Sequence, residues 1–182
     1  MKLFTIVGVL CLSSLVSIHA LAASWCPDHV VVETTPTDDF TVHNDGTVTH
    51  DRTGLMWQVC SQGQTWAAGT AGTAECSGDA TTHNWGDALA IPTRVNTDGG
   101  YAGYSDWRVP NIKELRSIVE FACYGPAINE VIFNNTPGNK FWSSSLDVDD
   151  TSKTWRVDYE NGYRDRDSRT STYHVRLVRD AP

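Results

Sequence analysis

The sequence predicts an α+β domain in which two short helices group against antiparallel sheet. Three observations point there. Alternating runs come first and last in the chain, and the two helical patterns lie between them, an order that suits helices segregated against an antiparallel sheet. Asp45-Gly46 and Asn161-Gly162 each separate two alternating runs, the signal of a tight hairpin with positive φ at both turn residues. Asn111-Ile112-Lys113-Glu114 has the pattern of a capping box at a helix start.

Taken in order, the first segment is a leader. Lys2 is a short positive n-region, Leu3 to Ile18 is almost purely apolar, and Ala20-Leu21-Ala22 offers a small-x-small cleavage site. Residues 1–22 therefore read as a signal peptide. The apolar run is shorter than the ~20 residues that span a bilayer, and no second one follows, so no membrane span is expected in the mature chain. Residues 23–39 read as an N-terminal tail and 40–182 as one domain. About 160 residues can bury roughly 70% of their unfolded surface.

Phe40 to His43 and Thr47 to His50 are predicted as a hairpin, followed by Leu55 to Val59 as a buried strand. Ser61 to His83 is poor in apolar residues and reads as a surface loop. Asn84 caps a first helix that carries Ala88, Ile91 and Val95 on one face, and Pro92 is expected to kink it or end it early. Asp98-Gly99-Gly100 stops whatever remains. The second helix runs from the capping box to about Phe121, with Leu115, Ile118 and Val119 as its core stripe. Phe141 onward is β, with a closing strand near Tyr173 to Arg179.

Four cysteines remain after the leader: Cys26, Cys60, Cys76 and Cys123. An even number in an exported chain argues for disulfides. Three pairings are possible. The Gly/Ala/Thr-rich segment between Cys60 and Cys76 favours that pair, where closing the loop gains ~3 kcal/mol, and leaves Cys26 with Cys123. The spacing lacks the Cys-x-x-Cys pattern of a zinc site.

The chain has 182 residues and a net charge of −8, which removal of Lys2 with the leader makes more negative. Nucleic acid and anionic membrane are thus disfavoured as bulk partners. From Thr151 onward the balance reverses: seven Lys/Arg against five Asp/Glu. Seven tryptophans are expected mainly in the core.

Several blocks carry a family likeness: Thr53-Gly54-Leu55-Met56-Trp57-Gln58, Gly103-Tyr104-Ser105-Asp106-Trp107-Arg108-Val109-Pro110-Asn111-Ile112-Lys113-Glu114-Leu115, Pro126-Ala127-Ile128-Asn129, Phe141-Trp142-Ser143-Ser144-Ser145 and Val175-Arg176-Leu177-Val178-Arg179. In this order, from about Phe40 to Asp180, they resemble the Lcl C-terminal domain family, named for the C-terminal domain of a bacterial collagen-like adhesin. The resemblance implies a C-type-lectin-like fold with N- and C-terminal strands paired, two helices flanking a sheet and a second sheet carrying the ligand face. It also implies an extracytoplasmic binding domain. Some members of the wider group bind glycans or glycosaminoglycans, and others are receptors diversified at the C-terminal sheet. Two departures stand out: the chain has no Gly-x-y collagen stretch, and Pro92 interrupts a helix that is usually continuous in relatives.

The C-terminal hairpin is the candidate ligand site. Alternation sets Trp155, Val157 and Tyr159 against Thr154, Arg156, Asp158 and Glu160, whose polar flank is expected to face solvent. The returning strand has no apolar face, as an exposed edge would. The candidate ligand-binding residues are Arg156, Asp158, Glu160, Tyr163, Arg164, Asp165, Arg166 and Arg169; Tyr and Arg are favoured at binding hot spots. A charge-laced edge that merely resists aggregation is the alternative. Trp57, Trp107 and Trp142 read as core, and Arg108 as a bridge to a carboxylate or loop carbonyls. Asp147, Asp149 and Asp150 could offer oxygen ligands to Ca²⁺, but Trp142-Ser143-Ser144-Ser145 lacks the carboxylate of the lectin Trp-Asn-Asp motif, and no metal or cofactor is expected. Ser143 to Ser145 lack a nucleophile elbow. His29, His43, His50, His83 and His174 share no ligand spacing, and no cysteine follows Cys123, whereas the formylglycine-generating oxidases of this fold rely on paired ones near the C-terminus. The expectation is an exported, non-enzymatic binding or adhesion domain (secreted, periplasmic or at the cell surface) for a glycan, sulfated polysaccharide or protein surface. The alternative is a structural or assembly subunit of a surface appendage or envelope complex. The sequence sets no oligomeric state.

Overall fold

The computed structural model describes Cys26 and residues 31–68, 74–97 and 99–182. The signal peptide assigned to residues 1–22 lies outside the described residues.

Strands β1 (Phe40–Val42), β2 (Thr47–His50), β3 (Leu55–Gln58) and β9 (Val178–Asp180) form one antiparallel sheet in the order β1-β2-β3-β9. The N-terminal strands and the closing strand thus share a sheet, with Trp57 opposite Val178. A second hairpin pairs β4 (Thr65–Ala68) with β5 (Ala74–Ser77). After helices α1 (Trp85–Thr97) and α2 (Ile112–Arg116), β6 (Lys140–Leu146), β7 (Lys153–Asp158) and β8 (Tyr163–Ser168) build a three-stranded antiparallel sheet with β8 at its edge. The architecture is α+β, mostly β, with two short helices on antiparallel sheets.

Two apolar cores explain which residues are buried. Trp57 of β3 and Phe141 of β6 enter one, with Leu115, Ile118, Phe133, Val157 and Tyr159. Their neighbours Met56 and Trp142 enter the other, with Ala88 and Ile91 of α1 and Trp107. Successive strand residues point to opposite faces, so β3 is buried at every position because both its faces are covered.

Several local expectations change. Helix α1 does not end early but continues through Pro92 to Thr97: burial of Ala88 and Ile91 against the second core offsets the hydrogen bond that proline cannot donate. Asn84 caps it, its side-chain oxygen accepting from the Asp87 amide at 3.0 Å. Beyond it Gly99 and Gly100 have positive φ, and Asp98 lies outside the described residues. Helix α2 has its capping box but stops at Arg116, not Phe121; the Ser117 amide turns back to the Lys113 and Glu114 carbonyls. Ile118 and Val119 still reach the core. The segment 61–83 is not only loop, since it contains the β4–β5 hairpin.

Neither Asx-Gly turn is a two-residue turn. Val42 opposes Val48, and Asn44 and Gly46, not Asp45, take positive φ. Asp158 opposes Tyr163, and Gly162 alone of the Asn161-Gly162 pair has positive φ. Tyr159, inside that second loop, is needed in the core, where its hydroxyl donates to the Leu115 carbonyl at 2.9 Å.

Both disulfides favoured by the sequence form, Cys26–Cys123 and Cys60–Cys76. The tail is also docked: the buried carboxylate of Glu120 accepts from the amides and hydroxyls of Thr34 and Thr35 and from the Ala122 amide. Burial pushes its pKa up, and the hydrogen bonds from Thr34, Ala122 and Thr35 outweigh that, leaving it below the ordinary carboxylate value.

Candidate ligand face on the C-terminal sheet

The eight candidate residues do not form one surface. The β7–β8 register pairs Trp155 with Arg166 and Val157 with Arg164, and pairs Arg156 with Asp165 and Thr154 with Asp167. Cross-strand partners share a face. Arg164 and Arg166 therefore lie on one side of the sheet, and Arg156, Asp158, Tyr163, Asp165 and Asp167 on the other.

The face that carries Arg156 is largely closed, contrary to the expectation of a wet polar flank. Thr154 is fully buried and Arg156 only 8% exposed. Their side of the sheet is covered by α1, through Trp142, and by Tyr173, whose ring lies 4.4 Å from that of Trp142. The Arg156 guanidinium is held among three carboxylates, Asp158, Asp167 and Asp165, at 3.5, 3.5 and 3.6 Å. Its guanidinium is neutralised by acids of its own hairpin and is largely covered. The Tyr173 hydroxyl donates to Asp167, and Lys140 lies 3.9 Å from the same carboxylate. Burial raises the Asp167 pKa, but Tyr173, the Ser168 amide and the two cations bring it below its ordinary value. Arg169 stacks 4.8 Å above the Trp85 ring. Glu160 is exposed in the hairpin loop and reaches toward Gly125 and Gly138. Tyr163 is 70% exposed at the start of β8.

The other face is open along β8. The Arg164 and Arg166 guanidinium carbons sit 5.5 and 5.3 Å from the Trp155 ring centroid, two cation–π contacts on one half-buried indole. Arg166 also donates to the buried Asp147 at 3.0 Å, which fixes the orientation of its fork. Arg116 of α2 lies 5.5 Å over Phe121, and Phe121 abuts Gly162 at the head of β8, so a third exposed arginine borders this face. A row of exposed guanidinium groups on aromatic rings can take planar anionic groups in bidentate fashion.

Trp155 and Arg116 were not among the sequence candidates. Trp155 had a signal, since alternation and the hairpin turn together set it on the same face of the sheet as Arg164 and Arg166. Arg116 had none, because its place depends on how α2 crosses the sheet. Asp147, Asp149 and Asp150 do not converge on a cation: Asp147 serves Arg166 and the Asp149 amide, and Asp150 holds Ser152 and Lys153. Among the described residues no group of three or more His, Cys, Asp or Glu is placed to hold a metal ion.

Arg108 bridges Glu114 at 2.7 and 2.9 Å and Asp180 at 3.1 Å, joining the capping box of α2 to β9. Arg176, fully buried, donates to the Gln58 and Val59 carbonyls and to the hydroxyls of Ser61 and Thr136. Burial lowers its pKa to about 10, so it stays charged at neutral pH.

A family model described as Lcl C-terminal domain matches residues 46–179. No curated protein matches the chain.

Proposed function

The chain belongs to the Lcl C-terminal domain family, and from that membership we propose that it is an exported, non-enzymatic binding domain that docks an anionic polymer, a sulfated or carboxylated polysaccharide, on the Trp155 face of its C-terminal sheet. The observation that carries this reading is the pair Arg164 and Arg166 flanking Trp155 on the exposed edge strand. The two disulfides support an oxidising, extracytoplasmic setting, and among the described residues no helix is long and apolar enough to cross a membrane. The acidic body favours a ligand that meets the molecule only at this basic edge, with binding that weakens as salt rises.

Heparin-column retention tests the reading. Arg164→Ala/Arg166→Ala elutes at clearly lower salt than the wild type, while Arg156→Ala, if folded, elutes close to it. Unchanged retention of the double variant removes the site. A structural or assembly subunit is the second reading, favoured by the outer edge of β8, which has no strand partner among the described residues. Stable co-purification with partner proteins and no glycan affinity would select it.

A further inference from the structure

The outer edge of β8 carries backbone groups that docking on the Trp155 face leaves unused. The Arg169 amide donates to the Ser152 carbonyl at 3.2 Å. Pairs along an antiparallel ladder alternate between bonded and unbonded, and the β7–β8 register runs on from that pair without a shift. Tyr163, Asp165 and Asp167 therefore bond to β7, whereas the N–H and C=O groups of Arg164, Arg166 and Ser168 point away from the sheet. β8 is exposed at every position except Asp167, which is half-buried. Two of the outer amides hold only local acceptors: Arg166 donates to the Asp165 side chain at 2.8 Å, and Ser168 to the Asp167 side chain at 3.0 Å.

The side chains along this edge are sorted by charge. Arg164 and Arg166 lie on the Trp155 side, and Asp165 and Asp167 on the Arg156 side. Cross-strand partners share a face, and like charges directly opposite are destabilising. A second copy that paired β8 with β8 in antiparallel fashion would set arginines beside arginines on one side and aspartates beside aspartates on the other. The edge is thus mismatched to itself. A strand with acids at alternate positions and bases between them matches both rows.

We propose that β8 takes up an extended segment of a partner protein as a further antiparallel strand, a segment in which Glu alternates with Lys, its acids on the Trp155 side. Ladder bonds supply the attraction, and the side-chain rows select the partner and its register. An incoming Lys competes with the amides for Asp165 and Asp167, which releases those donors to the new ladder. In that ladder each Glu lies opposite Arg164 or Arg166 in a bonded pair, so Glu amides face β8 and Lys amides face solvent. The proposal gives a chemistry to the partner in the assembly-subunit reading and rests on that reading. It does not rest on the polysaccharide reading, since a polysaccharide has no strand ladder to offer.

The test uses the mature chain, ¹H–¹⁵N NMR and four blocked peptides: one alternating Glu and Lys, one of the same composition with Glu and Lys in separate blocks, and the alternating one N-methylated either at its Glu or at its Lys residues. The alternating peptide is expected to shift the amides of Arg164, Arg166 and Ser168, with affinity about tenfold above that of the block peptide. Methylation at Glu is expected to abolish binding, and methylation at Lys to leave it close to the parent. Equal affinity for alternating and block peptides, equal loss on methylation at either set, or shifts confined to other surfaces would each overturn the proposal. Failure of all four peptides while partner proteins still co-purify with the chain would overturn it too, and would leave the assembly reading standing.

Discussion

Arg156 and Arg166 sit on the same hairpin yet have opposite roles. Arg156 is clasped by Asp158, Asp165 and Asp167 on the covered face, and Arg166 stands beside Trp155 on the open one. Removing Arg156 leaves three carboxylates without their shared cation. Arg156→Ala is therefore expected to lower stability by about 2 kcal/mol, read as a lower urea midpoint, with heparin retention nearly unchanged. Glu120 acts at a different place, between tail and body. Its folded pKa is depressed, so its contribution is fully present above the unfolded carboxylate value and is lost as pH falls through the folded one. Stability of the wild type is expected to drop on acidification below about pH 4.3. Glu120→Gln should be less stable at neutral pH by about 1–3 kcal/mol and should show a shallower acid slope in the same urea series. The split between the two arginines follows from alternation alone, although the sequence reading placed both in one ligand surface. A two-residue Asn161-Gly162 turn and the observed longer loop differ in register by two, which preserves faces, so either sets Arg156 beside aspartates and Arg166 with the Trp155 row. What was not legible is the cover over Arg156, because Trp142 and Tyr173 come from segments distant in sequence.

The elements show the same division between local and long-range causes. The capping box of α2, the cap of α1 and the alternation of β7 follow from neighbouring residues and were readable from them. The early end of α2 and the passage of α1 through Pro92 were not, since α2 packs against β6 and β7 and α1 against β6. Turn chemistry was half readable: Gly46 and Gly162 were correctly marked as positive-φ sites, but loop length followed from the core's need for Tyr159. Gly162 makes this testable. Its φ is +77°, and a Cβ there would lie 2.8 Å from Val119 Cγ1. Gly162→Ala is expected to cost at least about 1–2 kcal/mol from the left-handed backbone alone, measured as a fall in thermal midpoint. The damage should extend to ligand binding, because the same loop positions the head of β8.

The whole molecule is an acidic body with one basic, aromatic edge, held by two cores and two disulfides. The Cys60–Cys76 bond closes a loop with a sequence separation of 16. Cys60→Ser/Cys76→Ser is expected to lose ~3 kcal/mol in denaturant unfolding and to loosen the β4–β5 hairpin, while leaving the distant Trp155 face able to bind. The sealed arginines Arg156, Arg176 and Arg179 serve the fold, whereas Arg164 and Arg166 are open on the Trp155 face. The most direct measurement is a ¹H–¹⁵N NMR titration of the mature domain with a defined sulfated oligosaccharide. The account predicts shifts concentrated on the Trp155 indole, on Arg164 and Arg166 and on the β8 amides, fading as salt is raised. Shifts centred on Asp165 and Asp167 of the opposite face, or on the β4–β5 hairpin, with Arg164, Arg166 and Trp155 unmoved, would contradict it.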